Sequence, residues 1–246
     1  MPNRRIGNEY VRRYSGLAAA TSAPDPLPTL GAHSMIKKAL VALAITGTMA
    51  SAQAGYLVKE HFNNVSDLTS KGWVLNNAST PSGATGWFQG DQQQFSSFDG
   101  APNSYVAANY GSAADGGIIN NWLITPEFSL SEGVVVSFWL RAAEAAGFSD
   151  EVSFGFSDGS SALSAFDMSA PITVSSDGWA LYKTRIEKGA VAGNARFAVQ
   201  YTGSYDSSNY IGLDRFAVSQ IPEPSSILML GAGVMGLIAA RRRKRG

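Results

Sequence analysis

The stretch VVVSFWLRA, residues 134–142, sets Val134, Val136, Phe138 and Leu140 against Val135, Ser137, Trp139 and Arg141. Successive side chains on an extended backbone point to opposite faces, so this alternation confines the segment to a half-buried strand. EVSFGF (151–156) repeats the pattern with Val152, Phe154 and Phe156, and ARFAVQY (195–201) repeats it with Phe197, Val199 and Tyr201. The sequences ADGG (114–117), SDGS (157–160) and SDGW (176–179) read as turns, because Asp and Gly tolerate the backbone angles a turn needs. No stretch between 55 and 220 keeps a helical period for three turns. The pattern predicts one all-β domain over 55–220, an antiparallel β-sandwich.

The residue inventory excludes several chemistries. With no cysteine there are no disulfides, thiolate metal sites or cysteine nucleophiles. GFSDG (155–159) fits the G-x-S-x-G of a nucleophile elbow, but that order needs an acid and then a histidine after the serine. The two histidines, His33 and His61, both precede Ser157, so the segment reads as a hairpin turn. Histidine-based zinc sites fail on the same count. Sixteen acids in the body make a pair at glycosidase spacing unremarkable, so no such pair is assigned. No catalytic residue is predicted.

Formal charge is zero, yet it is unevenly placed. Residues 1–54 carry six Lys or Arg and residues 241–245 carry five, while 55–220 carry eight against sixteen Asp or Glu. A body near −8 speaks against nucleic-acid binding, which needs a basic face. The basic ends belong to export signals. MIKKALVALAITGTMASAQAG, from Met35, has charged Lys37 and Lys38, an apolar run Ala39 to Ile45, and the small-residue site Ala52-Gln53-Ala54. It predicts a signal peptide over 35–54, with Gly55 as the mature N-terminus. Residues 1–34 then read as an upstream start ahead of Met35, or as an extended n-region.

The other end contains GAGVMG (231–236), which fits the dinucleotide fingerprint G-x-G-x-x-G. A cofactor turn needs a second strand and an acidic residue about twenty positions on, and LIAARRRKRG offers neither. Residues 227–240 instead read as a short apolar helix of about 21 Å, against a hydrocarbon core of about 30 Å. Arg241, Arg242, Arg243, Lys244 and Arg245 follow it and place that end in the cytoplasm. Pro222-Glu223-Pro224 precedes it. This three-part ending over 221–246 resembles the PEP-CTERM sorting signal. The resemblance implies recognition by an exosortase after passage through the secretion machinery, in a Gram-negative bacterium that makes exopolysaccharide. It implies a membrane tether first, then the cell surface or the extracellular matrix.

The body resembles the cleaved-adhesin, or choice-of-anchor J, domains. LVKEHFNN with GWVLNNAS, NSYVAANYG with IINNWLITPEFSL, and the closing YIGLDRFAV carry the likeness, with Arg215 where a second Asp is common. It implies a jelly roll whose first and last strands are neighbours. In YLVKEHF, Glu60 falls in phase with Tyr56, Val58 and Phe62; in YIGLDRFAV, Asp214 falls in phase with Tyr210, Phe216 and Val218. Two inward carboxylates on adjacent strands would repel unless a cation joined them. A structural Ca²⁺ held by Glu60 and Asp214 is therefore expected, the alternatives being a β-bulge or pairing with Arg215, Lys59 or another base.

Two polar stretches are studded with rings: TGWFQGDQQQFSSFDGAPNSY (85–105) and QYTGSYDSSNY (200–210). Trp87, Phe95, Phe98 and Tyr205 are the candidate glycan contacts, since a flat ring stacks on the apolar face of a sugar. The alternative is that these rings anchor long loops or join the core. The reading that results is a non-enzymatic exported protein of the surface or matrix, tied to exopolysaccharide, biofilm or adhesion. A carbohydrate-binding module with a defined glycan is the second reading.

Overall fold

The structure, a computed structural model, describes residues 55–221. Residues 1–54, with Ala52 and Ala54 of the cleavage site, lie outside the described residues. So do the Pro222-Glu223-Pro224 motif, the helix expected at 227–240 and the basic tail 241–245. Among the described residues no helix is long and apolar enough to cross a membrane.

The strands are β1 (Tyr56–Glu60), β2 (Val74–Asn77), β3 (Thr80–Ser82), β4 (Phe88–Gln89), β5 (Val106–Asn109), β6 (Ala113–Ile124) and β7 (Phe128–Ser129). They continue as β8 (Val134–Ala142), β9 (Glu151–Ser157), β10 (Asp167–Met168), β11 (Ile172–Thr173), β12 (Ala180–Ile186), β13 (Asn194–Ser204) and β14 (Tyr210–Gln220). They form two antiparallel sheets. The six-stranded sheet runs β12-β8-β14-β5-β4, with β1 also on β14; the eight-stranded sheet is built on β9-β13-β6-β2. The expected all-β sandwich is what forms.

The alternation read in the sequence sets the core. Val134, Val136, Phe138 and Leu140 of β8 are fully buried, and face Phe197, Val199 and Tyr201 of β13 across the sandwich in one apolar cluster. The Phe138 ring lies 6.0 Å from Phe216 and 5.8 Å from Phe197. Aromatic pairs at this spacing add to the stability that burial alone confers.

β14 is bonded along both edges. β8 runs the length of one side, and the other side takes β5 with Tyr210–Leu213 and β1 with Phe216–Ser219. Against β8, Asp214 is opposite Trp139 and Ala217 is opposite Ser137, so Arg215 and Phe216 together face the single residue Phe138. This is a β-bulge, and Arg215 sits in it at φ +47°. A bulge advances the strand by one residue and exchanges its faces. Before it, Ile211 and Leu213 point into the sandwich; after it, Phe216 and Val218 do.

One sequence expectation changes here. ADGG (114–117) is no turn but the start of the long β6, where Gly116 takes φ +67° and the pairing with β3 shifts register. The GFSDG segment ends a strand: Ser157 is buried, and its hydroxyl donates to the Ser160 carbonyl at 2.6 Å, which leaves no exposed nucleophile. Gly155 of that segment is required by packing, because a Cβ there would lie 2.0 Å from the Asp167 carbonyl oxygen of β10. Gly155→Ala is therefore expected to cost about 1–3 kcal/mol by forcing β10 away. Urea unfolding should show a lower midpoint at unchanged slope.

Candidate functional site

The outward positions of the six-stranded sheet line up in rows, because paired residues on neighbouring strands share a face. One row is Lys183, Ser137, Ala217 and Lys59, crossing β12, β8, β14 and β1. The next is Leu181, Trp139 and Asp214, and on the other side lie Arg185, Val135, Ser219 and Tyr56. All of these but Arg185 and the buried Asp214 line an open groove of about 470 Å³, and Phe98 lines it with them. Tyr56, at 62% exposure, and Leu181, at 40%, are among the large apolar side chains left most open to solvent.

The loop between β4 and β5, residues 90–105, crosses this face and brings Phe98 to it. Phe95 holds the loop from below. Its ring stacks on Tyr105 with centroids 5.1 Å apart, meets Trp179 and Tyr210 edge-on at 5.5 Å, and lies 4.7 Å from the Arg141 guanidinium. Gly212 of β14 lets these rings settle on the sheet, since a Cβ there would come within 2.8 Å of both Tyr105 and Phe95. The Trp179 indole donates to the Ser96 carbonyl at 2.9 Å, and the Asp99 amide donates to Asp214 Oδ2 at 3.0 Å. Between those fastenings Phe98 lies flat on Trp139, with centroids 3.7 Å apart and planes within 14°.

Asp214 thus has a different place from the one expected. The bulge puts it on the Trp139 face, beneath the 90–105 loop, and takes it out of phase with Phe216 and Val218. It is fully buried, and burial pushes its carboxyl pKa up, while the backbone N–H groups of Asp99, Arg215 and Phe98 pull it down. Arg215 N–H donates to Oδ1 at 2.6 Å. Glu60 pairs with Phe216, so it faces the opposite side of the sheet. Its Oε1 accepts from the His61 and Phe62 amides at 3.1 and 2.9 Å, and its Oε2 takes the Lys71 ammonium at 2.9 Å. The two acids thus stand on different faces of the sheet, and each accepts from protein donors. Among the described residues no three of His, Asp and Glu gather where a metal could be held.

Of the four ring residues named from sequence, only Phe98 is in the groove. Trp87 belongs to the inter-sheet core at 6% exposure, and Phe95 is buried in the small ring cluster at 5%. Tyr205 packs edge-on against Tyr110 at 5.2 Å and does not line the groove. Sequence reading missed Trp139, Tyr56, Lys59, Lys183 and Arg215 as site residues. A signal for one of them was present: Trp139 stands on the polar side of the β8 alternation, beside Ser137 and Arg141. Gly55, the expected mature N-terminus, accepts the Gln220 amide at 3.0 Å, so the two ends of the domain leave it side by side.

Residues 220–244 match the PEP-CTERM protein-sorting motif. A tail of this kind indicates an exported, surface-sorted protein. No curated protein sequence matches the chain. Among solved structures, the chain is similar to the K1 cleaved adhesin domain of Lys-gingipain from Porphyromonas gingivalis, at 20% identity and a TM-score of 0.53 over 67% of this chain and 98% of that one. It is also similar to the K3 cleaved adhesin domain of the same protein, at 18% identity and a TM-score of 0.50 over 68% and 98%. The likeness is one of fold, and it agrees with the resemblance seen in the sequence. Phe95→Ala should cost about 3–5 kcal/mol of stability, as truncation of a buried ring does. Thermal melts set beside the wild type check this.

Proposed function

We propose that this is a non-catalytic surface or matrix protein that an exosortase processes at its PEP-CTERM tail, and that it holds exopolysaccharide on the outer face of its six-stranded sheet. The Phe98–Trp139 stack at the edge of an open groove carries the reading. A sugar ring has an apolar face of C–H groups that packs on an aromatic ring, and its hydroxyls need polar partners at the margin. Ser137, Ser219, His61 and the lysines of the groove supply such partners. An open trough suits a polymer, which enters from the side and leaves at both ends, better than a small substrate that must be enclosed. The sorting tail and the glycan face then act together, since the tail brings the domain to the surface and the face retains polysaccharide there. On this reading the helix at 227–240 is a transient membrane tether.

Co-sedimentation of the full-length protein with the exopolysaccharide of the producing bacterium tests it. Retention is expected for the wild type, and Trp139→Ala should weaken it by at least about tenfold, or about 1.4 kcal/mol. Trp139 is only half buried, so the melting temperature of this variant should fall far less than that of Phe95→Ala. Wild-type protein that stays in the supernatant would overturn the reading.

A further inference from the structure

Between residues 55 and 220 acids outnumber bases sixteen to eight. The groove inverts that ratio. Lys59, Lys183 and Arg215 line it together with His61, and no Asp or Glu does. The carboxylate that pairs with side chains of this set is Asp99, whose Oδ2 lies 3.2 Å from Arg215 and 3.5 Å from His61 Nδ1. Lys59 and Lys183 have no ion-pair partner among the described residues. Lys59 only overhangs the Tyr56 ring, at 5.2 Å from its centre.

Their placement is set by register. Lys183 pairs with Ser137, Ser137 with Ala217, and Ala217 with Lys59, so the two lysines stand at opposite ends of one row across four strands. Three strand gaps separate them, about 14 Å between backbones. The floor between them is made of the two small residues Ser137 and Ala217. The result is a trough with an open cation on each bank and a ring stack at its head.

Resting on the glycan reading above, we propose that the groove takes an acidic polysaccharide, one whose sugar units carry carboxylates. A sugar face lies against Phe98 and Trp139, and carboxylates of the chain meet Lys59 and Lys183 from within the trough. Exposed ammonium groups keep much of their hydration, so each contact is weak alone and strongly dependent on salt. A repeating anion meets both banks at once, which lets weak contacts add along one chain. Nucleic acid also offers anions, but single strands are gripped by successive rings on which base after base stacks, and this groove offers one ring stack, Phe98 on Trp139.

The test uses full-length protein with three probes: polygalacturonate, the same polymer after chemical reduction of its carboxyls, and single-stranded DNA of similar length. At 50 mM salt polygalacturonate should bind at least about tenfold more tightly than the reduced polymer, and about tenfold of its affinity should be lost by 200 mM. The double variant Lys59→Gln, Lys183→Gln should bring the two polymers to within about threefold of each other at an unchanged melting temperature. Equal binding of both polymers, abolished by Trp139→Ala, would overturn the charge assignment and leave the glycan reading standing. DNA bound as tightly as polygalacturonate would overturn the assignment to polysaccharide. No binding to any of the three would overturn this inference, and failure to sediment with the native exopolysaccharide would separately overturn the reading beneath it.

Discussion

The extra residue in β14 decides what each face of the six-stranded sheet can be. β14 pairs with β8 on one side and with β5 and then β1 on the other, so any change of phase in it is felt by three neighbours. Without a bulge, a strand that buries Leu213 would also bury Arg215 and Ala217, and would turn Phe216 and Val218 to water. The observed strand buries Leu213, Phe216 and Val218 alike, at 0–1% exposure. The extra residue is Arg215, whose left-handed backbone is an unfavourable conformation for a side chain of its size. Packing of Phe216 against Phe138, Phe197 and Trp73 offsets that local cost.

The same bulge builds the outer surface. By leaving Asp214 on the Trp139 side, it puts an acceptor where the crossing loop needs one, and the Asp99 amide binds it. A buried carboxylate without such donors would be costly, and a loop without such an acceptor would have an unmet amide. Each therefore satisfies the other. At the far end of the loop, Phe95 sits in a cluster of Tyr105, Tyr210 and Trp179, where the two tyrosine hydroxyls are 3.0 Å apart and both reach the Asp91 amide. Both hydroxyls accept from that amide, Tyr105 donates in turn to the Asp91 carbonyl at 2.7 Å, and burial pushes the ionisation of both tyrosines up. Fastened at both ends, the loop presents Phe98 in one place instead of leaving it to order on contact with a ligand. Ordering a side chain in advance removes an entropic penalty from binding.

Sequence pattern reached the fold because the inward faces of β8 and β13 follow strict alternation. It also reached the tail, where order and spacing are local. It could not reach the site. Alternation assumes an unbroken phase, and one extra residue at 215 was enough to move Asp214 from the inner face to the outer. Glu60 was placed on the correct face, but its partner Lys71 lies in a turn eleven positions on, where no periodicity applies. The rings of 85–105 looked equivalent in sequence because all stand among polar neighbours. Tertiary packing separates them: Gly212 leaves a hollow for Phe95, the sandwich interior takes Trp87, and only Phe98 is left outside. Trp139 was the reverse case, a residue whose strand position already marked it as outward-facing.

The placement of the ends bears on how such a face would work. Gly55 and Gln220 are hydrogen-bonded neighbours, and the sorting tail continues directly from β14. The strand that leads into the tail is also the strand whose outward residues Ala217 and Ser219 floor the groove. A pull on bound polymer would thus enter the domain on the strand that leaves it toward the tail. β14 is bonded on both edges over most of its length, so displacing it would break hydrogen bonds to β8, β5 and β1 together. An edge strand in that position would have fewer bonds to share the load. The groove floor and the start of the sorting motif thus lie on one strand that is bonded along both edges.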